Sequence, residues 1–200
     1  MLVALTGLLL GAWHVVSGPD HLAAIAPLAT SSSPGRSPWR AGLAWGLGHA
    51  SGVWLVGLLL LAFGALLPLE ALGLWSERVV GLMIVGVGLW GLWRVAHQHG
   101  HDHDHEHARG PAFAIGAVHG LAGSSHLYGV LPALALEASS RVGYLIAFGI
   151  GSVIAMAGFS SLLGLVVERV PGSRGVVRSW ALGGASVLAV GIGLAWMISN

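Results

Sequence analysis

Residues 11–27 read GAWHVVSGPDHLAAIAP, an apolar segment that contains two histidines, one aspartate and a central Gly-Pro pair. Residues 116–132 read GAVHGLAGSSHLYGVLP, and seven positions are identical when the two segments are aligned without gaps. The identities include both histidines of each segment: His14 and His21 in the first, His119 and His126 in the second. Two histidines at the same spacing are unusual for a chance match, so the pattern predicts an internal repeat.

The composition around these segments is that of a membrane protein. Hydrophobic residues make up 55% of the 200 residues and charged residues only 8%, whereas a soluble domain is about 25% charged. So few charges exclude a soluble enzyme and a disordered chain. The absence of Cys excludes disulfides and thiolate metal sites, and a net charge of +1 gives no support for nucleic-acid binding.

The apolar runs predict an all-α integral membrane protein with six transmembrane helices, since a helical span needs about 20 apolar residues. The predicted spans are residues 2–29, 40–66, 75–96, 112–136, 142–167 and 177–198. The whole chain, 1–200, is then one transmembrane domain that consists of two repeats, 1–96 and 112–200, joined by a His-rich loop at 97–111. Three spans in each repeat would invert the second copy relative to the first, as in many secondary transporters.

The arginines predict the orientation, because short cytoplasmic loops are enriched in basic residues. Seven arginines fall in loops one, three and five: Arg36, Arg40, Arg94, Arg109, Arg169, Arg174 and Arg178. The opposite side has only Arg78 and Arg141. We therefore expect these three loops to be cytoplasmic and both termini to be outside, in a bacterial plasma (inner) membrane.

Five histidines and one aspartate lie within the predicted spans, where an ionisable side chain costs roughly 2.5–3.5 kcal/mol to insert. The candidate metal ligands are His14, Asp20, His21, His49, His119 and His126. On a straight helix, His14 and His21 would be about 10 Å apart along the axis, too far for one metal ion bound at about 2 Å. Because Pro19 interrupts helical hydrogen bonding, a break at Gly18-Pro19 is expected to bring them together.

This ligand chemistry narrows the choice of metal. Imidazoles with one carboxylate and no thiolate suit Ni²⁺, Co²⁺, Zn²⁺ or Cu²⁺. They do not suit Mg²⁺ or Ca²⁺, which prefer oxygen ligands. The residues alone do not choose among the four transition metals.

The loop between the predicted repeats alternates histidine with polar or acidic residues, a composition typical of metal-binding tracts. Its histidines form a predicted secondary metal-binding loop: His97, His99, His101, His103, His105 and His107. The alternatives are a solvated linker or part of a pH sensor. A cytoplasmic tract of this kind could buffer or sense metal, or exchange it with a metallochaperone partner.

The segment from His14 to Ile25, with His14 followed by Asp20-His21, resembles the signature of the nickel/cobalt permease superfamily, in particular its short UreH-type and NicO-type members. Gly48-His49 resembles the second motif of that superfamily. The resemblance implies a six-span permease in which His14, Asp20, His21 and His49 select the metal. It also implies Ni²⁺ or Co²⁺ as the transported substrate, with no permanent cofactor; Zn²⁺ fits the same ligands.

The leading interpretation is therefore a permease for a divalent transition metal, with a mid-membrane site between two repeats that rock against each other. No phosphate-binding loop occurs, so uphill transport would need an ion gradient or a partner. An intramembrane zinc-dependent hydrolase is the alternative, with help from one of three serines: Ser51, Ser124 or Ser125. A third interpretation is a membrane metal sensor or metallochaperone docking site that uses mainly the His-rich loop. The partners expected are the bilayer and the ion, and the Gly-rich faces are compatible with packing within or between monomers.

Overall fold

A computed structural model describes residues 1–30, 37–63, 69–97, 109–122, 125–169 and 174–199. Within these ranges, the side chains of 69–74, 109, 125–128, 174 and 199 are not described. The described residues form eight α-helices and no strand. In chain order the helices are α1 Leu2–Ser17, α2 Pro19–Thr30, α3 Trp39–Phe63, α4 Leu69–Ala96, α5 Arg109–Ala122, α6 Ser125–Leu134, α7 Ala138–Arg169 and α8 Arg174–Ser199.

Four of these helices are each long and apolar enough to cross a bilayer: α3, most of α4, α7 and most of α8. Helices α1 and α2 pass that test only as a pair, and they are bent by 74° at their junction. Helix α5 is apolar but shorter. The chain is thus an all-α protein with the helices of a multi-pass membrane protein, as its composition predicts.

One of the six predicted spans is not a continuous helix among the described residues: the predicted span 2–29 is divided into α1 and α2. The predicted span 112–136 contains α5, which ends at Ala122, and α6, which begins at Ser125, and the two residues between them lie outside the described residues. The described helices therefore give four unbroken spans, or five with the bent pair, and a sixth span is not confirmed among the described residues. The break in the first span is the one expected at Gly18-Pro19. Residues 123–124 of the second repeated segment lie outside the described residues, so an equivalent break there stays a prediction.

The break between α1 and α2 has a local chemical cause. Gly18 takes an extended conformation with φ −90° and ψ 103°, as expected for a residue that precedes proline. Pro19 then begins α2, a position where its missing N–H costs nothing and its fixed φ suits a helix. Proline therefore starts a new helix here rather than bending an existing one.

The two halves of the chain are interlocked by crossed pairs of helices. Helix α1 packs mainly on α7 of the other half, and α5 packs mainly on α3. The closest approaches correspond: a Cβ on Gly11 would overlap the carbonyl of Phe148, and a Cβ on Gly116 would overlap the carbonyl of Trp45. Small residues allow membrane helices to pack with backbones in contact, so glycine determines both pairings.

Glycines of α7 and α3 make close contacts in the reverse direction, with the backbones of α1 and α5. A Cβ on Gly151 of α7 would overlap the carbonyl of Leu8 in α1, and a Cβ on Gly48 of α3 would overlap the carbonyl of Phe113 in α5. The pairs α1/α7 and α3/α5 therefore make matching contacts, and α3 also packs on α7. Helices α4 and α8 form a third pair against which α2 packs.

Polarity is distributed in the opposite way from a soluble protein. Large apolar side chains are exposed on the outside, such as Trp180 at 78% and Leu188 at 65%. The interior contains Asp20, His21 and His49, which are at most 2% exposed. Such an arrangement is stable when lipid covers the surface, because the polar groups then find partners only inside the bundle.

Candidate metal centre

Five ionisable side chains, all at least partly buried, gather where α1, α2, α3 and α5 meet. His14 lies in the last turn of α1, Asp20 and His21 in the first turn of α2, His49 in the middle of α3, and His119 in the last turn of α5. His21, His49 and His119 have no exposed surface. Four separate helices therefore contribute to one buried cluster.

The rings of the first three histidines are close neighbours. The ring centroids are 4.5 Å apart for His14 and His21, 5.0 Å for His21 and His49, and 5.9 Å for His14 and His49. One possible ligand atom from each of the three lies within 4.8 Å of the others. Because the break at Gly18 folds α2 back, residues seven apart contact each other instead of being separated by two helical turns.

Asp20 links two imidazoles through its two carboxylate oxygens. Its Oδ1 lies 2.9 Å from His21 Nδ1, and its Oδ2 lies 3.1 Å from His119 Nε2. An ionised carboxylate only accepts hydrogen bonds, so with Asp20 ionised the proton of His21 is on Nδ1 and that of His119 is on Nε2. Asp20, His21 and His119 are also a second group that could hold a metal ion.

Gly18 is required for this arrangement by close packing, not by an unusual backbone angle. A Cβ added at Gly18 would lie 2.5 Å from His21 Nδ1 and 2.8 Å from Asp20 Oδ1. Both distances are too short for a carbon atom beside a nitrogen or an oxygen. A side chain at this position would therefore displace the hydrogen bond between Asp20 and His21.

Glycine also allows His119 to reach the cluster. A Cβ on Gly120 would overlap the carbonyl of His49, and a Cβ on Gly52 would lie 2.6 Å from the carbonyl oxygen of Ala117. The close α3/α5 contact places the rings of His49 and His119 5.7 Å apart. The histidine predicted from the second repeated segment thus lies with those of the first.

A weaker match between the halves pairs Gly46 and Gly48 with Gly149 and Gly151 and so puts Ser152 opposite His49; Ser152 has a structural role. Its buried hydroxyl donates to the carbonyl of Phe148 at 3.0 Å and lies 3.2 Å from that of Gly11. The cluster is therefore asymmetric at this position, as the sequence comparison of the two halves predicts. The side chain of His126 lies outside the described residues, so its predicted role stays a prediction.

Two aromatic residues beside the cluster were not identified from the sequence. The ring of Phe148 lies 5.5 Å from that of His14, and the ring of Trp45 lies 5.7 Å from that of His119. Both rings are fully buried. They occupy equivalent positions in the two halves, and the repeat was the one signal that could have paired them.

Of the predicted secondary metal-binding loop, the structure describes only His97. Its Nδ1 lies 2.8 Å from the carbonyl oxygen of Trp93, and its ring stacks on the Trp93 indole. The other five histidines of the tract, His99, His101, His103, His105 and His107, lie outside the described residues. Metal binding by this loop therefore stays a prediction.

The serines considered for hydrolysis do not supply a described nucleophile at the cluster. Ser51 is exposed on α3, and its hydroxyl donates to the carbonyl of Leu47 at 2.7 Å. The side chains of Ser124 and Ser125 lie outside the described residues.

Comparison with known proteins finds three related sequences. The chain is 35% identical to the chloroplast protein FOR GROWTH AND FERTILITY 2 of Arabidopsis thaliana, over 98% of this chain and 56% of that protein. It is 34% identical to FOR GROWTH AND FERTILITY 1 of the same plant, over 98% of this chain and 59% of that protein. The chain thus spans somewhat more than half the length of these curated relatives.

The third relative is bacterial. The chain is 29% identical to the urease accessory protein UreH of Bacillus sp. (strain TB-90), over 80% of this chain and 75% of that protein. No protein-family model matches the chain, and no solved structure matches it. The chain is therefore a distant homologue of a urease accessory protein, UreH, and it also resembles two chloroplast proteins.

Proposed function

We propose that this protein is a membrane permease for a divalent transition-metal ion, with Ni²⁺ or Co²⁺ as its substrate. The observation that carries the proposal is the buried cluster of four imidazoles and one carboxylate at the junction of apolar helices. Ionisable groups are expensive at membrane depth and are typical of ion and substrate pathways. The similarity to UreH and the resemblance of the motif at 14–25 to nickel/cobalt permeases favour these two metals.

The ligand chemistry supports a borderline transition metal. The described cluster offers imidazole nitrogens and a single carboxylate, which suit Ni²⁺, Co²⁺ and Zn²⁺ better than Mg²⁺ or Ca²⁺. Nitrogens that share a tetrahedral ion at about 2.1 Å lie about 3.4 Å apart. The ligand atoms of His14, His21 and His49 lie within 4.8 Å of one another, so modest rotations of the rings would close around an ion.

Within this proposal, the ion binds to His14, His21 and His49, and Asp20 orients the imidazoles from outside the ligand set. Both oxygens of Asp20 already contact imidazole nitrogens at 2.9 and 3.1 Å. A carboxylate that holds one nitrogen of a histidine leaves the other nitrogen as the metal ligand, a common arrangement in metal sites. His119 then supports Asp20 instead of the ion.

The crossed packing also suggests how the site would open alternately to the two sides. His14 belongs to the α1/α7 pair, His49 and His119 to the α3/α5 pair, and His21 to α2. Rocking residues 1–96 against 112–200 as rigid bodies would separate the backbone contacts within both pairs. We propose instead that the crossed pairs move as units, with α1/α7 sliding against α3/α5 along the contact between α3 and α7, and that this motion changes the distance between His14 and His49.

The experiment that tests the proposal is metal flux into proteoliposomes, with Ni²⁺ as substrate and Co²⁺, Zn²⁺ and Mg²⁺ as competitors. We expect Ni²⁺ flux that Co²⁺ inhibits and Mg²⁺ does not. His49→Gln should reduce the flux to background, because an amide is a poor replacement for an imidazole ligand. His97→Gln is the matched control, because this histidine lies outside the cluster, and it should leave flux unchanged. Equal flux in the wild type and His49→Gln would refute the proposed site.

A further inference from the structure

A cavity of about 340 Å³ lies beside the α1/α2 break and reaches the buried cluster. His14, Ser17 and Asp20 line it, as do two tryptophans, Trp13 and Trp196. Trp13 and Ser17 are exposed, whereas Asp20 is buried. The cavity therefore connects exposed residues at the end of α1 with the candidate ligands.

The volume of the cavity suits a metal ion that still carries its water. One water occupies roughly 30 Å³ in the liquid, so six water ligands need about 180 Å³. The 340 Å³ available would accommodate such an ion with room for a few more waters. A bare ion would need far less space, since its ligands lie about 2 Å away.

The electrostatics of the cavity favour a cation. The lining residues include one acid and no arginine. Helix α1 ends here with partial negative charge on its last carbonyls, and α2 begins here with partial positive charge, which the carboxylate of Asp20 in its first turn offsets. The last carbonyls of a helix have no intrahelical donor, and Ser17, the last residue of α1, lines the cavity. Its carbonyl is therefore suited to accept a hydrogen bond from a water of a hydrated cation.

We infer that this cavity, called the vestibule below, holds the hydrated divalent cation before it loses water to the imidazoles. The inference rests on the proposed function, since it describes how the ion reaches the same site. The Ser17 hydroxyl and the Ser17 carbonyl accept hydrogen bonds from the water ligands. His14, which lines the vestibule and belongs to the three-histidine group, replaces the first water. Each later imidazole releases another water into the vestibule.

The absence of Cys from the chain allows a direct test with single Ser→Cys variants and a membrane-impermeant cationic methanethiosulfonate. Ser17→Cys probes the vestibule, and Ser51→Cys is its matched control. Each hydroxyl is exposed and donates to the carbonyl four residues earlier, at 2.8 Å for Ser17 and 2.7 Å for Ser51. Ser51 does not line the vestibule. Labelling rates are measured in proteoliposomes with and without Ni²⁺.

Ser51 is exposed on the spanning helix α3, where lipid covers the surface and a thiol ionises poorly, whereas Ser17 lines the vestibule with Asp20. Because a thiol must ionise to react, Ser17→Cys should react about tenfold or more faster than Ser51→Cys. Ni²⁺ should slow the labelling of Ser17→Cys several-fold and leave Ser51→Cys unchanged, which excludes a direct effect of metal on thiols. Equal labelling rates, or labelling that Ni²⁺ does not slow, would overturn the vestibule.

Flux measured in the same vesicles separates this inference from the proposed function. If Ni²⁺ is transported but does not slow the labelling of Ser17→Cys, the vestibule is refuted and the proposed permease function stands. If Ni²⁺ slows the labelling of Ser17→Cys but is not transported, the proposed permease function is refuted and the vestibule stands as a cation site. Transport at the unmodified rate after complete labelling of Ser17→Cys would also overturn the inference, because the label would fill the proposed route.

Discussion

Replacing Asp20 by asparagine tests whether its carboxylate orients the imidazoles or binds the metal ion directly. In the wild type, two imidazoles contact the two oxygens at 2.9 and 3.1 Å. Asparagine keeps the size of the side chain but offers one acceptor oxygen and an NH₂ donor. One imidazole then either loses its hydrogen bond or changes tautomer, and a tautomer change at His21 would place the proton on Nε2, the proposed ligand atom.

The expected loss of Ni²⁺ affinity follows from the number of hydrogen bonds that the substitution affects. Loss of a partner that orients a metal-binding histidine lowers metal affinity by about 10–100-fold. This range corresponds to about 1.4–2.7 kcal/mol, since tenfold is about 1.4 kcal/mol. A hydrogen bond to a charged group is worth about 1.5–3 kcal/mol, so losing one of the two bonds predicts the same range. Loss of a direct ligand, as in His49→Gln, should weaken binding further.

The assay is equilibrium Ni²⁺ binding to detergent-purified protein that lacks residues 97–107, so that the histidine-rich tract does not contribute. X-ray absorption on the same samples counts the imidazole ligands. For Asp20→Asn, we expect weaker binding by about 10–100-fold with the imidazole count unchanged. Unchanged affinity would refute the orienting role, and loss of an oxygen ligand from the metal spectrum would show that Asp20 binds the ion directly.

Three further predictions concern helix packing and buried hydrogen bonds. Gly18→Ala should weaken Ni²⁺ binding without loss of folded protein, because the added Cβ would displace the carboxylate-imidazole hydrogen bond; a wild-type binding curve would contradict this. Gly48→Ala should destabilise the protein by about 1–3 kcal/mol through overpacking, measured as thermal unfolding in detergent. The matched control Gly86→Ala, where nothing lies within 4 Å of the added carbon, should not destabilise, and equal melting temperatures would refute the packing argument. Tyr144→Phe removes a 2.8 Å hydrogen bond to the carbonyl of Gly129 and should cost about 0.6 kcal/mol; its effect is read from the same melting curves, and an unchanged melting temperature would show that this bond contributes nothing.

The sequence predicted the helical class and the break in the first span for local reasons. Few charges and long apolar runs require lipid as solvent, and in lipid the backbone satisfies its own hydrogen bonds as helix. The missing N–H of Pro19 and the extended preference of Gly18 act within a few residues. In the second repeated segment Ser124 occupies the position aligned with Pro19, so the sequence predicts a break there less clearly.

The side chains that could bind metal were also identifiable from the sequence, because an ionisable residue in an apolar span is conspicuous. His14, Asp20, His21, His49 and His119 were all named, and the structure brings all five together. Their roles were not predictable. That Asp20 lies between two imidazoles, one of them about 100 residues away in the chain, depends on how α5 packs against α3.

By itself, then, the sequence determined the solvent of this protein, its helical class, the break at Gly18-Pro19 and the residue types available to bind an ion. Each of these depends on composition or on neighbours along the chain. The tertiary structure alone decided the crossed pairs α1/α7 and α3/α5, the two partners of Asp20 and the vestibule beside His14. The physical reason is that helix backbones come into contact where a glycine of one helix meets the backbone of a distant helix, and in a chain with 32 glycines the sequence does not indicate which glycines make such contacts.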